Sequence, residues 1–203
     1  EIVSRDWSSD VCSSDLDETG AKYGMTDARP VTPDRWLKEG DTVTVGDLSF
    51  AISEAPGHTP AHVVLRALAG HALFCGDTIF NAGVGNCTNG GDPDLLFQTF
   101  QRLRTELPQQ TVLYPGHDYM RRNLAFALDR EPDNTAARRW RERIKNEVVA
   151  PTATLEEEGA FNPYLRLHSP SLRGALRQAV PGLPADASDR DVFLALRTLR
   201  DRW

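Results

Sequence analysis

Beginning at Thr42, apolar residues recur first at every second position and later at every third or fourth. Thr42-Val43-Thr44-Val45 and Leu48-Ser49-Phe50-Ala51-Ile52 flank Gly46-Asp47, the pattern of a hairpin closed by a two-residue turn. A second hairpin is expected from His62 to Leu68 and Ala72 to Phe74, turned at Ala69-Gly70. The period then lengthens. Asp92 supplies an N-cap and Pro93 a first helical position that needs no N–H, while Leu96, Phe100, Leu103 and Leu107 share one helical face. Thr111-Val112-Leu113-Tyr114 reads as another strand, followed by a helix from Asp118 to about Arg130 with Leu124 and Leu128 at i,i+4 spacing. Strand, helix, strand, helix in this order predicts an α/β layered domain. Past Pro132 the pattern is helical, cut into short pieces by Pro151, Pro163, Pro170, Pro181 and Pro184. Trp140 and Ile144 offer one packing stripe there. A last helix from near Ser188 is expected to bury Val192, Leu196, Leu199 and Trp203.

The opening segment, residues 1–16, shows neither period, repeats Ser-Ser-Asp, and lacks the basic leader and apolar core of a signal peptide. It resembles the translation of sequencing-adapter sequence joined to a gene fragment; the alternative is a natural disordered acidic tail. The expected organisation is therefore a tail over 1–16, a partial α/β domain over 17–130 and a helical region over 131–203. With 40% hydrophobic residues in 203, the chain can bury a sizeable core. No run approaches the ~20 apolar residues that cross a bilayer, and a net charge of −6 argues against nucleic acid. Cys75 and Cys87, with Cys12 set aside, make no disulfide framework. A cytoplasmic protein without membrane or nucleic-acid partners is the expectation.

Three loops then stand out, each placing a glycine and a metal-competent residue just past an apolar run: Pro56-Gly57-His58, Cys75-Gly76-Asp77 and Pro115-Gly116-His117. Imidazole, carboxylate and imidazole suit zinc or a similar first-row ion. Taken singly, His58 reads as a surface loop histidine, Asp77 as a turn aspartate and His117 as a residue beside a helix start. His62 lies four residues after His58, but Pro60 and Val63-Val64 favour a strand over a helical His pair, so His62 is read as supporting a ligand and not as one. His71 and His168 have no motif context and are expected at the surface.

Six stretches in order, Pro56–His62, Phe74–Phe80, Tyr114–Tyr119, Glu131–Asn134, Asn162–Arg166 and Leu196–Trp203, resemble the metallo-β-lactamase superfamily and, within it, the hydroxyacylglutathione hydrolases of the glyoxalase II type. The resemblance implies an incomplete metallo-β-lactamase αββα sandwich with a C-terminal helical region. It implies two divalent metals, zinc with iron or manganese as alternatives. His58 would ligate the first, Asp77 bridge both and His117 ligate the second; a metal-bridging hydroxide would attack the thioester of a small glutathione conjugate. The family's upstream Thr-His-x-His-x-Asp-His motif has no counterpart here, so the chain as written is expected to bind metal poorly and to be inactive. Tyr119, Arg197 and Arg200 would hold glutathione, whereas Asn86 and Thr88 stand where the family usually has a lysine and an aromatic residue. A persulfide dioxygenase-like oxidoreductase on the same scaffold, and a degenerate binding module, are the alternatives.

Overall fold

The computed structural model describes residues 24–25, 34–149 and 151–203; the expectations for residues 1–16 lie outside them. Short strands β1 (Gly24–Met25) and β2 (Arg35–Trp36) pair in parallel. The main strands follow: β3 (Thr42–Val45), β4 (Leu48–Glu54), β5 (Val63–Ala67) and β6 (Ala72–Gly76). Both expected hairpins are present, with Val43 opposite Phe50 and Leu65 opposite Phe74. Next come the two-residue strands β7 (Ile79–Phe80) and β8 (Gly83–Val84), helix α1 (Pro93–Glu106), β9 (Val112–Pro115) and α2 (Met120–Arg130). The remainder is α3 (Thr135–Arg143), β10 (Ala153–Thr154), α4 (Leu155–Phe161), a single 3-10 turn at Pro163–Leu165, α5 (Pro170–Ala179) and α6 (Asp189–Arg202).

The sheet runs β10-β9-β6-β5-β4-β3, antiparallel except for β6 beside β9. That one parallel pair needs a crossover, and α1 supplies it. Asp92 caps α1 by accepting from the Asp94 and Leu95 amides, and the predicted stripe Leu96, Phe100, Leu103 and Leu107 is buried. Against it lie Val64, Leu73, Cys75 and Leu113 from one face of the sheet, together with Leu172, Leu176, Val192, Phe193 and Leu196 from the C-terminal helices. A second cluster joins Leu124 and Leu128 of α2 to Trp140, Ile144 and Phe161, as the expected stripe required. The other sheet face carries Val43, Ile52 and Val63 in a small cluster and stacks Phe74 on Tyr114 with ring centroids 5.0 Å apart. These two rings stay 43% and 39% exposed.

Two expectations need correction. Trp203 is 44% exposed and Leu199 half-buried, because the last turn of α6 runs beyond the core; Phe193, Ala195 and Arg197 are buried instead. The segment after Asp77, read as one loop, contains the β7–β8 hairpin. Two-residue strands carry no period to detect. That hairpin is held by side chains from three elements. The Ala82 amide donates to Glu158 Oε2 (2.8 Å), Asn123 Nδ2 to Asn81 O (3.0 Å) and Asn162 Nδ2 to Gly83 O (3.2 Å). Such satisfaction lets Ala82 keep a left-handed φ of 61°.

Candidate functional site

Each of the three glycine-bearing loops leaves the end of a sheet strand or, for His58, the β4–β5 connection, and all three meet beside α1 and the β7–β8 hairpin. The His58 loop is docked on the start of α1: the Asp92 amide donates to Gly57 O (2.8 Å) and Thr99 Oγ1 to Pro56 O (2.7 Å). Gly57 has φ +140°, and a Cβ there would stand 2.3 Å from Leu96 Cα, so only glycine permits the approach. His58 and Asp77 are buried, at 1% and 5% exposure, and His117 is half-exposed.

Asp77 is the centre of the group. Its Oδ2 lies 3.4 Å from His58 Nε2 and its Oδ1 lies 2.8 Å from His117 Nδ1. His58 Nδ1 is 2.6 Å from Asn86 O. A carbonyl oxygen only accepts, so Nδ1 carries a proton and Nε2 is the ring nitrogen turned toward the carboxylate. A cation, either a proton on Nε2 or a metal ion, suits the space between Nε2 and Oδ2. The Asp77 amide donates to His62 Nε2 at 3.2 Å, so His62, whose ring lies 5.6 Å from that of His58, orients the Asp77 backbone. Asp77 thus lies between the two imidazoles, with one carboxylate oxygen toward each. Among the described residues no group of three or more His, Cys, Asp and Glu side chains is placed to hold a metal ion.

Beside this group opens a cavity of about 320 Å³ whose lining includes Phe80, Asn86, Tyr119, Arg122, Arg197 and Arg200. Tyr119 stacks on His117 (5.3 Å, 8° between planes) and meets Phe80 edge-on at 5.2 Å, forming an aromatic wall between the metal-competent group and the arginines. Arg197 and Arg200, three residues apart on α6, both reach this cavity, but they differ. Arg197 is 6% exposed, and its Nη1 donates to Val84 O (3.0 Å) and Gly85 O (3.1 Å) while Nε and Nη2 grip Asp201 Oδ1. It thus braces the loop that presents Asn86. Arg200 donates to Asn123 Oδ1 at 3.1 Å, packs on the Phe126 and Trp203 rings and lines the cavity. Asn86 and Thr88 are tied to each other, the Thr88 amide and Oγ1 both donating to Asn86 Oδ1. Cys87 next to them is partly buried, which pushes its thiol up to about 11 and keeps it protonated at neutral pH. His71 and His168 are exposed, as expected.

Sequence reasoning missed Arg122 and Asn123. The pair lies in an Arg-Arg-Asn run whose helical phase alone does not say which arginine meets the cavity. Arg121 turns away, its guanidinium donating to Lys145 O and Glu147 O.

Comparison with known proteins adds the lineage. The family model described as metallo-beta-lactamase superfamily matches residues 9–117, and that described as hydroxyacylglutathione hydrolase C-terminus matches residues 118–203. A hydroxyacylglutathione hydrolase of Polaromonas sp. is 44% identical over 192 residues, covering 91% of this chain and 73% of that protein. One of Nitrosococcus oceani is 46% identical over 176 residues, covering 84% and 66% respectively. Among solved structures, ETHE1 from Myxococcus xanthus aligns with a TM-score of 0.56 at 21% identity, covering 93% of this chain and 69% of that one. The BLEG-1 B3 metallo-beta-lactamase aligns at 0.52 and 20% identity, covering 76% and 69%. These two likenesses bear on the fold.

Proposed function

The chain belongs to the metallo-beta-lactamase superfamily and, within it, to the hydroxyacylglutathione hydrolase family, and on that premise we propose that it serves hydrolysis of a hydroxyacylglutathione thioester to glutathione and a 2-hydroxy acid. The observation that carries this reading is the Asp77 carboxylate set between the imidazoles of His58 and His117, with His58 Nε2 3.4 Å and His117 Nδ1 2.8 Å from its oxygens. The superfamily binds divalent metal. Zinc suits the nitrogen and oxygen donors here, and iron and manganese are the alternatives. When bound, such an ion supplies Lewis acidity and an activated water at neutral pH.

The residues of the chain do the rest. Asp77 turns one oxygen toward each imidazole and, with His58 and His117, would hold the metal. Asn86 O fixes the tautomer of His58, and His62 fixes the backbone of Asp77, which holds the donors in place before metal arrives. Phe80 and Tyr119 give the cavity an aromatic wall. Arg200 supplies positive charge for the acidic thiol portion, and Arg197 holds the loop that closes the cavity floor.

The test is hydrolysis of lactoylglutathione by the protein loaded with zinc, iron or manganese, beside an Asp77→Asn variant. The expected result is weak metal binding by this chain that the variant loses, with thioester turnover far below that of a relative carrying the upstream Thr-His-x-His-x-Asp-His motif. Metal-loaded protein that leaves the thioester intact but takes up oxygen with glutathione persulfide would replace the hydrolase with an oxidoreductase.

A further inference from the structure

The cavity beside Tyr119 contains three arginines and one carboxylate, Asp201, and that carboxylate is already gripped by Arg197. Arg197 is spent on loop carbonyls as well. Arg122 and Arg200 remain as cations facing the cavity without a carboxylate partner among the described residues. Asn123 keeps them together: it is buried beside Arg122 on α2, its Nδ2 is fixed on Asn81 O and its Oδ1 accepts from Arg200 Nη2. Burial and the adjacent charges of Arg122 and Arg197 push the Arg200 guanidinium below its ordinary range. Two like charges lining one cavity repel, and an anion between them relieves both. The loop at Asn86 and Thr88 supplies no cation, since both side chains are uncharged and bond to each other.

We infer that Arg122 of α2, paired with Arg200 of α6, is the carboxylate-binding residue of this cavity and sets its preference for thiols that end in a carboxylate. The inference rests on the thioester-hydrolase reading for the identity of the thiol, but the anion site itself stands on the cavity and the two guanidinium groups. Arg122 is exposed and makes no structural bond, so its replacement leaves the fold intact. Arg200, by contrast, also packs on Phe126 and Trp203.

The experiment is calorimetric titration of the whole chain and of Arg122→Gln with three probes: S-hexylglutathione, its glycine-amide analogue and succinate. Far-UV circular dichroism verifies that the variant keeps its helices. The expected result is that Arg122→Gln weakens S-hexylglutathione by about 10-fold or more, as loss of a charged hydrogen bond requires, while the glycine amide binds both proteins alike. Arg122→Lys, which keeps the charge but not the fork, should recover part of the loss. Unchanged S-hexylglutathione affinity in Arg122→Gln overturns the inference and leaves the hydrolase reading standing. Succinate binding that depends on Arg122, without any S-hexylglutathione binding, keeps the anion site and sinks the glutathione reading. If the native protein binds none of the three, the Arg122 site is refuted.

Discussion

Gly85 is the point where the loop after β8 comes too close to the metal-competent group to admit a methyl. A Cβ there would stand 2.0 Å from Asp77 O and 2.9 Å from His58 Nδ1. Gly85→Ala is therefore expected to cost about 1–3 kcal/mol in urea denaturation and to weaken metal uptake in a zinc titration, because the shift falls on the ring that Asn86 O orients. Unchanged metal affinity would show that the loop does not position His58. At this scale the sequence was readable where chemistry and backbone coincide. His58, Asp77 and His117 each follow a glycine at a strand or loop end, and the structure brings both imidazoles to within 3.4 Å of the Asp77 carboxylate. It was not readable where the role depends on packing. Arg197 and Arg200 look equivalent as i,i+3 neighbours, yet one is buried as a brace and the other faces the cavity.

Between elements, the Glu131 carboxylate gathers four side-chain hydrogen bonds. Placed just past α2, it accepts from Arg166 Nε and Nη2 (2.9 and 3.1 Å) and from the hydroxyls of Ser169 and Ser171 (2.6 Å each), tying α2 to the start of α5. Burial works against its charge, but the bonds from Arg166, Ser169 and Ser171 outweigh that and hold its carboxyl below the usual range. Glu131→Gln is expected to cost about 3–5 kcal/mol, since Arg166 loses its anion; thermal denaturation would measure it. The motifs Glu131–Asn134 and Asn162–Arg166 were visible in the chain without a role, and only their meeting in space supplies one. Phe193 plays the apolar counterpart. Its ring lies 5.3 Å from Phe97, 5.8 Å from Phe100 and 5.2 Å from Tyr164, joining α1, α6 and the 3-10 turn. Phe193→Ala should cost about 3–5 kcal/mol by the same measurement. The helical period flagged Val192 and Leu196 but passed over Phe193, because α6 buries a wider arc than one stripe.

Over the whole molecule, two buried carboxylates give stability opposite slopes with pH. Glu131 has a folded pKa below its unfolded one, so its contribution is full above the unfolded value and is lost as pH falls through the folded one. Glu158 is the reverse: burial lifts it to about 8, despite bonds from the Ala82 amide and Asn162. Its carboxyl costs nothing below the ordinary carboxylate range and destabilises progressively as pH rises toward 8. Glu158→Gln should therefore leave melting temperature nearly unchanged at pH 5 and raise it at pH 8.5; an equal effect at both would refute the assignment. The α/β order, both hairpins and the α1 crossover were legible because their strands and helices are long enough to show a period. Strands β7, β8 and β10, two residues each, were not. Among the described residues no helix is long and apolar enough to cross a membrane. One connection spans the whole fold. Arg197 rides on α6, grips the carbonyls of Val84 and Gly85, and the next carbonyl, that of Asn86, holds His58. The final helix is thus a latch on the first imidazole of the site. Fraying of α6 would release that ring before it opened the sheet, and tightening the site from within would clamp the helix in return.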